Sequence, residues 1–164
     1  LGSRSTHYLR SSASSADEKT KMSLEAIKAA IPHRDPFLLL DEIIEQTENH
    51  IVCRKTFTGN EFWYVGHYPS FPLTPGVLLC EAAMQAGAVL LAKVVADNPD
   101  RVPVVSRINH VKFKAMVRPG DTVLLDVTLT EQMAGAFFMD AKVLLNDKPA
   151  VMFDFACKMA PRAL

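Results

Sequence analysis

One run in this chain, "GVLLCEAAMQAGAVLLAKVVA" at residues 76–96, is apolar on nearly every side of the helix that it predicts. A helix of that kind is stable in water only when other elements enclose it. At the α-helical rise per residue it would span roughly 30 Å, which is about the thickness of a bilayer core. Glu81, Gln85 and Lys93 interrupt the run, and an acidic side chain near its centre is costly in lipid. We therefore predict a buried helix in a soluble protein, with no membrane as partner.

Segments typical of β-strands lie on both sides of this helix. Before it, residues 37–48 and 50–58 predict two strands joined by a turn at Glu48-Asn49. After it come four further segments, "VPVVSRINHVKFKAMV", "DTVLLDVTLTEQ", "GAFFMDAKVLLN" and "PAVMFDFACKMA", with turn signals at residues 118–121 and 146–149. The second and fourth segments alternate, with these residues facing inward: Val123, Leu125, Val127, Leu129, Val151, Phe153, Phe155 and Cys157. The pattern predicts an α+β fold in which one antiparallel sheet wraps around the long central helix.

The N-terminal part of the chain divides into two pieces. The sequence "SLEAIKAA" at residues 23–30 predicts a short helix that starts at an N-cap serine and stops at Pro32. Residues 1–21 are rich in Ser and Arg and have no apolar core of a secretory signal. We expect them to be a disordered leader or a segment added for expression, with an organellar transit remnant as the alternative. The remaining residues 22–164 are most simply one domain.

Charge and cysteine content narrow the function classes. The 18 basic and 18 acidic side chains cancel, so that no overall field attracts nucleic acid or an anionic membrane. The three cysteines, Cys53, Cys80 and Cys157, are odd in number and lack the close spacing of a zinc site or a redox pair. We expect reduced, buried thiols and a cytoplasmic protein.

A histidine and a glutamate flank the start of the apolar helix. His67 lies in the Pro-rich loop "GHYPSFPLTP", and Glu81 lies early in the helix that begins at Gly76. An imidazole can act as a general base, and a partly desolvated carboxyl group can donate a proton. The first amides of a helix have no intrahelical partner, and a residue without Cβ lets a carbonyl group approach them. Together the three groups could eliminate water from a 3-hydroxyacyl thioester.

Structural roles could account for the same residues without any catalytic function. A loop histidine is usually a surface or hydrogen-bonded residue. Gln85, four residues after Glu81, could orient that carboxyl group by a hydrogen bond, or the two could simply satisfy each other within the core. Other chemistries have weaker support, because the histidines have no metal-ligand spacing, Cys80 has no neighbouring His in the sequence, and no nucleotide-binding glycine motif is present. We therefore expect neither a metal nor a cofactor.

Three motifs, in order, resemble those of the FabZ-type β-hydroxyacyl-acyl-carrier-protein dehydratases of fatty acid synthesis. They are "IPHRDPFLLLDEI" at residues 31–43, "GHYPSFPLTPGVLLCEAAMQ" at residues 66–85 and "VKFKAMVRPGD" at residues 111–121. The resemblance implies a hot-dog fold and a lyase that converts (3R)-3-hydroxyacyl thioesters on acyl carrier protein (ACP) into trans-2-enoyl thioesters without a cofactor. It implies His67 as the base at C2 and Glu81 as the acid that releases the hydroxyl group as water. The Gly76 amide would polarise the thioester carbonyl.

The resemblance also implies an assembly and a partner. The sites of this family form between two subunits, with His from one and Glu from the other, in a homodimer or a trimer of dimers. Four basic residues could attract an acidic ACP or be ordinary solvated charges: Arg107, Lys112, Lys114 and Arg118. The aromatic residues of the loop could line an acyl tunnel, with core packing as the alternative: Phe62, Trp63, Tyr64, Tyr68 and Phe71. A hot-dog acyl thioesterase and a non-catalytic acyl-binding module are the alternative functions.

Overall fold

The computed structural model describes residues 5–162, with side chains from residue 18 onward. It contains the helices α1 (Ser5–Ala30), α2 (Gly76–Leu90) and α3 (Ala92–Ala96), and a 3₁₀-helix over Phe62–Val65. The strands are β1 (Glu42–Gln46), β2 (His50–Thr56), β3 (Arg101–Phe113), β4 (Thr122–Met133), β5 (Ala136–Leu145) and β6 (Lys148–Pro161). They form one antiparallel sheet with the strand order β1-β2-β4-β5-β6-β3.

Helix α2 packs across this sheet, which confirms the predicted α+β class. It contacts β2, β4, β5 and β6, and most of its side chains are buried. Gly87 marks a close approach, because a Cβ atom there would lie 2.9 Å from the Phe155 ring and 3.1 Å from the Met139 sulfur. The prediction of a helix over residues 76–96 is correct in position, but the structure has two helices there rather than one continuous helix. The chain leaves helical geometry at Leu91 (φ −84°, ψ 4°) before α3 begins.

Helix α1 packs against β1 and α2. Its Ile27 side chain is fully buried in the core. The backbone amide of Ile43 donates a hydrogen bond to Oγ of Ser23 (2.6 Å), which fastens the helix to the first strand. Of the helices within residues 5–162, none combines the length and the apolar character that crossing a bilayer requires.

The predicted short helix over residues 23–30 is the C-terminal part of α1, which begins earlier, at Ser5. The separation of residues 1–21 as a disordered leader stays a prediction. Residues 1–4 and the side chains of residues 5–17 lie outside the described part of the chain.

The strand predictions are confirmed after α2 and partly wrong before it. Strands β3 to β6 correspond to the four predicted segments, although β3 ends at Phe113, four residues before the end of the first segment. The residues predicted to face inward are buried, apart from Leu129, which is partly buried and packs against the core. Residues 37–48, predicted as one strand, form a strand only over Glu42–Gln46. Residues 38–40 are buried outside the sheet, because the backbone at residues 37 and 39 bonds to the side chain of Gln85.

Two hairpins have two-residue turns in the left-handed conformation. Asn146 and Asp147, in the predicted turn between β5 and β6, have φ values of 50° and 61°. Ala134 and Gly135, between β4 and β5, have φ values of 51° and 73°. Such turns match the twist of the flanking strands. Asn, Asp and Gly accept this conformation readily, whereas a residue such as Ala134 adopts it at a cost of roughly 1–2 kcal/mol.

Strand β3 forms one edge of the sheet and, among the described strands, pairs with β6 alone. Its exposed side chains include large apolar ones, each between 38% and 56% exposed: Val104, Val105, Ile108, Val111 and Phe113. We call these five residues the β3 apolar edge. An edge strand that combines unpaired backbone groups with apolar side chains is a surface suited to binding another chain.

Candidate active site

His67 follows the 3₁₀-helix, and one hydrogen bond holds its backbone while another holds its ring. Its backbone amide donates to the Trp63 carbonyl (2.8 Å), and its Nδ1 lies 2.9 Å from the Leu73 carbonyl oxygen. Because a carbonyl oxygen can only accept, Nδ1 carries the proton and Nε2 keeps a free lone pair. The Tyr68 ring meets the imidazole edge-on, with ring centroids 4.8 Å apart. The tautomer is therefore the one that a general base acting through Nε2 requires.

Gly76 begins α2 close to the same loop. The loop is anchored just before it, where the Thr74 amide donates to the Val117 carbonyl (2.8 Å). Among the described residues, no acceptor pairs with the Gly76 amide, as expected for the first amide of a helix. A Cβ atom on Gly76 would lie 2.5 Å from the Phe113 ring, so that only glycine fits without displacing that ring.

His67 and Gly76 line one cavity of about 360 Å³. A volume of that size lies within the range of small-molecule sites, roughly 300–1,000 Å³. Most of its wall is apolar, with Leu79, Phe113 and Met116 among the lining residues. The structure thus brings together two of the predicted groups, the base and the free amide. Sequence reasoning missed Phe113, which has no local signal that separates it from other apolar strand residues.

Glu81 belongs to a different cluster, around the buried side chain of Gln85. Nε2 of Gln85 donates to Oε1 of Glu81 (3.0 Å) and to the Phe37 carbonyl (2.8 Å), while Oε1 of Gln85 accepts from the Leu39 amide (2.8 Å). These backbone partners fix the orientation of the side-chain amide, because an N–H needs an acceptor and a carbonyl needs a donor. Gln85 therefore always presents a donor to Glu81. This geometry is compatible with both predicted roles of Gln85. It can pair buried polar groups of the core, and it can orient the carboxyl group of Glu81.

Within one chain, His67 and Glu81 do not meet. Among the described residues, no hydrogen bond or ion pair joins them, and Glu81 does not line the cavity that His67 and Gly76 share. The imidazole near Glu81 is instead that of His33, whose Nε2 lies 3.8 Å from Oε1 of Glu81. Sequence reasoning included His33 only as part of the first motif. Within the described part of one chain, the structure thus does not bring the two predicted catalytic groups together.

The aromatic residues of the loop lie outside this cavity in a single chain. Trp63 is buried against Phe57, with ring centroids 6.2 Å apart. Tyr64 is also buried, and its hydroxyl shares a hydrogen bond with that of Thr74 (2.6 Å). The other three side chains are exposed: Phe62, Tyr68 and Phe71. Packing thus accounts for Trp63 and Tyr64, and a tunnel role for Phe62, Tyr68 or Phe71 stays a prediction.

The cysteines are poorly suited to nucleophilic chemistry. Burial raises the pKa of the Cys80 and Cys157 thiols to about 11 and that of Cys53 to about 12. A thiol with such a pKa is protonated at neutral pH and is a weak nucleophile. Cys80, although next to Glu81, is therefore no candidate for a covalent intermediate. Within the part of the chain that the structure describes, no group of three or more His, Cys, Asp or Glu side chains is arranged to hold a metal ion.

Comparison with known proteins identifies the family. The family model described as a FabA-like domain matches residues 31–154. The chain belongs to the FabA-like family. A relative from Koribacter versatilis, named 3-hydroxyacyl-[acyl-carrier-protein] dehydratase FabZ, is 37% identical over 148 residues, which cover 90% of this chain and 95% of the relative. A relative of the same name from Clostridium perfringens is 39% identical over 129 residues, covering 79% and 92% of the two chains. The resemblance to FabZ-type dehydratases is confirmed.

Solved structures of other proteins show the same fold. A chain of the dehydratase heterocomplex ApeI:P from Xenorhabdus doucetiae aligns with a TM-score of 0.68 at 16% identity, over 83% of this chain and 91% of that one. The E. coli PaaI protein from the phenylacetic acid degradation operon aligns with a TM-score of 0.62 at 19% identity, over 89% and 98%. At these identities the likeness concerns the fold alone. The hot-dog fold that the motifs implied is confirmed.

Proposed function

We propose that this chain is a dehydratase that converts (3R)-3-hydroxyacyl-ACP into trans-2-enoyl-ACP in fatty acid synthesis. The observation that carries the proposal is one cavity lined by both His67, with its free Nε2, and Gly76, with its unpaired amide. A base beside a donor that can polarise a carbonyl is what proton removal next to a thioester needs. The FabZ dehydratases that this chain resembles over most of its length support the same reaction.

In the proposed reaction, the Gly76 amide donates a hydrogen bond to the thioester carbonyl and thereby acidifies the C2 proton. Nε2 of His67 takes that proton, and the electron pair forms the C2–C3 double bond as the C3–O bond breaks. Glu81 gives its proton to the departing hydroxyl group, which leaves as water. The Leu73 carbonyl stabilises the imidazolium that forms on His67, because it accepts from Nδ1–H. Passage of that proton back to the Glu81 carboxylate through solvent resets the site.

We propose that Glu81 reaches this cavity from a second copy of the chain, so that a homodimer is the smallest active unit. The separate surroundings of His67 and Glu81 within one chain support this. The β3 apolar edge offers the interface, since it ends at Phe113, which lines the cavity. Pairing of two such edges would extend the sheet across both copies and bring the residues of one copy to the cavity of the other. A trimer of dimers would contain the same pair.

ACP is the proposed carrier of the substrate, with Arg118 at its docking surface. The Arg118 guanidinium lies 4.5 Å from the ring centroid of Phe71 and follows the cavity-lining residue Val117. Among the described residues, no ion pair involves this guanidinium, so its charge is available to an acidic partner. Arg107 lies over the Phe138 ring instead and away from the cavity. A cytoplasmic location is part of the proposal, supported by three buried free cysteines.

The deciding experiment follows the product made from 3-hydroxyacyl-ACP of several chain lengths. We expect mass spectrometry to show loss of one water and ultraviolet absorbance to show a conjugated enoyl thioester. Release of free thiol without an enoyl product would identify a thioesterase, and binding without any product would identify a non-catalytic acyl-binding module. Either result would overturn the proposal. The same acyl group on free pantetheine should react more slowly, and equal rates would remove ACP from the proposal.

A further inference from the structure

His33 is a polar residue of the Glu81 cluster for which the proposed reaction has no role. Its ring stacks on that of Phe37, with centroids 6.5 Å apart and 20° between the planes. Phe37 is also the residue whose carbonyl accepts from Gln85. Nε2 of His33 approaches Oε1 of Glu81, the same oxygen to which Gln85 donates. Two nitrogen groups therefore converge on Oε1 of the carboxyl group, and no hydrogen bond within the described residues reaches its Oε2.

The position of His33 is determined by the fold, because its turn is fastened to α1. The Arg34 guanidinium donates to the carbonyls of Lys28 (2.9 Å), Ile31 (2.8 Å) and His33 itself (2.6 Å). The last carbonyls of a helix have no intrahelical donor, so that they are available to such a side chain. Arg34 thus holds the backbone of His33 against the end of α1. The stacking on Phe37 then sets the direction of the ring.

The surroundings of the imidazole select one tautomer of His33. Nδ1 is buried and has no hydrogen-bond partner among the described residues, whichever nitrogen carries the proton. The contact between Nε2 and Glu81 therefore decides which ring nitrogen carries the proton. A lone pair on Nε2 would face the lone pairs of Oε1 of Glu81, whereas an N–H there faces an acceptor. We assign the proton to Nε2.

We propose that His33 is a positioning residue for Glu81, an inference that rests on the proposed dehydration. Nε2–H of His33 and the amide of Gln85 both present donors to Oε1 of Glu81. Oε1 then remains an acceptor, and the proton that Glu81 transfers is held on Oε2. Polar contacts in unliganded sites are often long and shorten when substrate binds, and we expect the 3.8 Å separation between His33 and Glu81 to shorten in this way. The leaving hydroxyl group receives its proton from one defined atom.

The test compares His33→Phe with His33→Gln. Phe keeps a ring against Phe37 but has no donor, while Gln restores a donor. We expect kcat of His33→Phe to fall about tenfold with KM changed less than about twofold, because positioning of the acid acts on the transition state. His33→Gln should recover most of the loss. In a Glu81→Gln background His33→Phe should cause no further fall in kcat, because no proton is left to position.

His50→Phe is the matched control. His50 is exposed to a similar extent as His33, 28% against 29%, and its Nε2 also faces a carboxylate, that of Asp126 at 3.0 Å. It lies outside the site, so that its substitution should leave kcat at the level of the unmodified protein. The proposal is overturned by an unchanged kcat in His33→Phe, by a change confined to KM, or by an equal fall in the Glu81→Gln background.

A second measurement does not depend on turnover. Nitrogen-15 NMR of labelled histidine in the protein without substrate should show that His33 is protonated at Nε2 and unprotonated at Nδ1. A proton on Nδ1 would refute the assignment. If the unmodified protein dehydrates no 3-hydroxyacyl thioester, the proposed function fails and this role of His33 fails with it. If the unmodified protein is active and the His33 variants match it, the inference about His33 fails alone.

Discussion

The side chain of Gln85 joins two segments that are far apart in the sequence, helix α2 and the stretch before β1. It is 1% exposed, and its hydrogen bonds reach Phe37, Leu39 and Glu81. Buried backbone groups need partners, and a strand normally finds them in its neighbour. In the stretch before β1, the side chain of Gln85 supplies the partners that a neighbouring strand would otherwise provide to the backbone of residues 37 and 39. The hydrogen bonds that support this stretch are therefore the same ones that orient the side-chain amide toward the carboxyl group.

Gln85→Leu should lower both stability and kcat. Leu fills a similar volume but leaves the buried amide of Leu39 and the partly buried carbonyl of Phe37 without a partner, which should cost about 2–4 kcal/mol in total. Urea-induced unfolding measures this loss. The proposed acid, Glu81, also loses its donor, so that kcat should fall. Gln132→Leu, at an exposed position of β4, is the control and should change stability by less than about 0.5 kcal/mol. Equal unfolding midpoints for the two variants would contradict the role of Gln85.

The sequence was sufficient to select His67, Glu81 and Gly76 as candidates, because a carboxyl group in an apolar helix is unusual and a histidine and a glycine stand just before that carboxyl group in the sequence. It could not select Phe113 or His33. Phe113 reaches Gly76 only because β3 passes the start of α2, and His33 reaches Glu81 only through the turn after α1. Such contacts depend on tertiary packing and leave no local pattern in the residues themselves.

Among the elements, the β4–β5 hairpin contains a residue that is unfavourable in its conformation. Ala134 has a φ of 51° and lies in a turn of the chain that is well suited to Asn or Gly. Ala134→Gly should raise the free energy of unfolding by about 0.5–1 kcal/mol, since the relief of strain exceeds the added entropy of the unfolded chain. Thermal or urea-induced unfolding measures the change, and kcat should stay the same.

The β5–β6 hairpin provides the matched control for this prediction. Asn146 has nearly the same φ, 50°, in the corresponding turn. Asn146→Ala should therefore destabilise the protein by a similar amount, with the opposite sign. The explanation by backbone strain is wrong if both variants shift stability in the same direction.

The elements differ in how far their sequences define them. Strands β4 and β6 alternate apolar and polar residues, a pattern with a period that only a half-buried strand explains. Residues 38–40 form a continuous apolar run, which is equally compatible with a buried strand and with a buried stretch that a side chain supports. The break at Leu91 has apolar helix-forming residues on both sides, so that the sequence gives no stop signal there.

At the scale of the whole molecule, the proposed site requires two copies of the chain. Mixing two inactive variants tests this directly. His67→Ala alone and Glu81→Gln alone should each lose roughly 10²- to 10⁴-fold in kcat, the contribution of a general base or acid. A dimer that contains one subunit of each variant has one complete site and one site that lacks both groups. After random exchange of subunits, we expect about a quarter of the unmodified activity.

The outcome depends on where each side chain acts. If His67 and Glu81 of the same chain formed the site, mixing the two variants would restore nothing. The control is a mixture prepared without subunit exchange, which should stay inactive. Circular dichroism of each variant alone should match that of the unmodified protein, since neither substitution removes a residue of the buried core.

The pairing of β3 has a consequence for how a new molecule is made. On the ribosome, β3 emerges before β4 and β5, yet its partner in the described sheet, β6, is synthesised only after both. Its backbone hydrogen-bonding groups thus stay unpaired during that interval, a state that favours aggregation of nascent chains. We expect chaperone demand during translation to rise with this delay, and a circular permutant that begins at β6, so that β6 is synthesised before β3, to need less help.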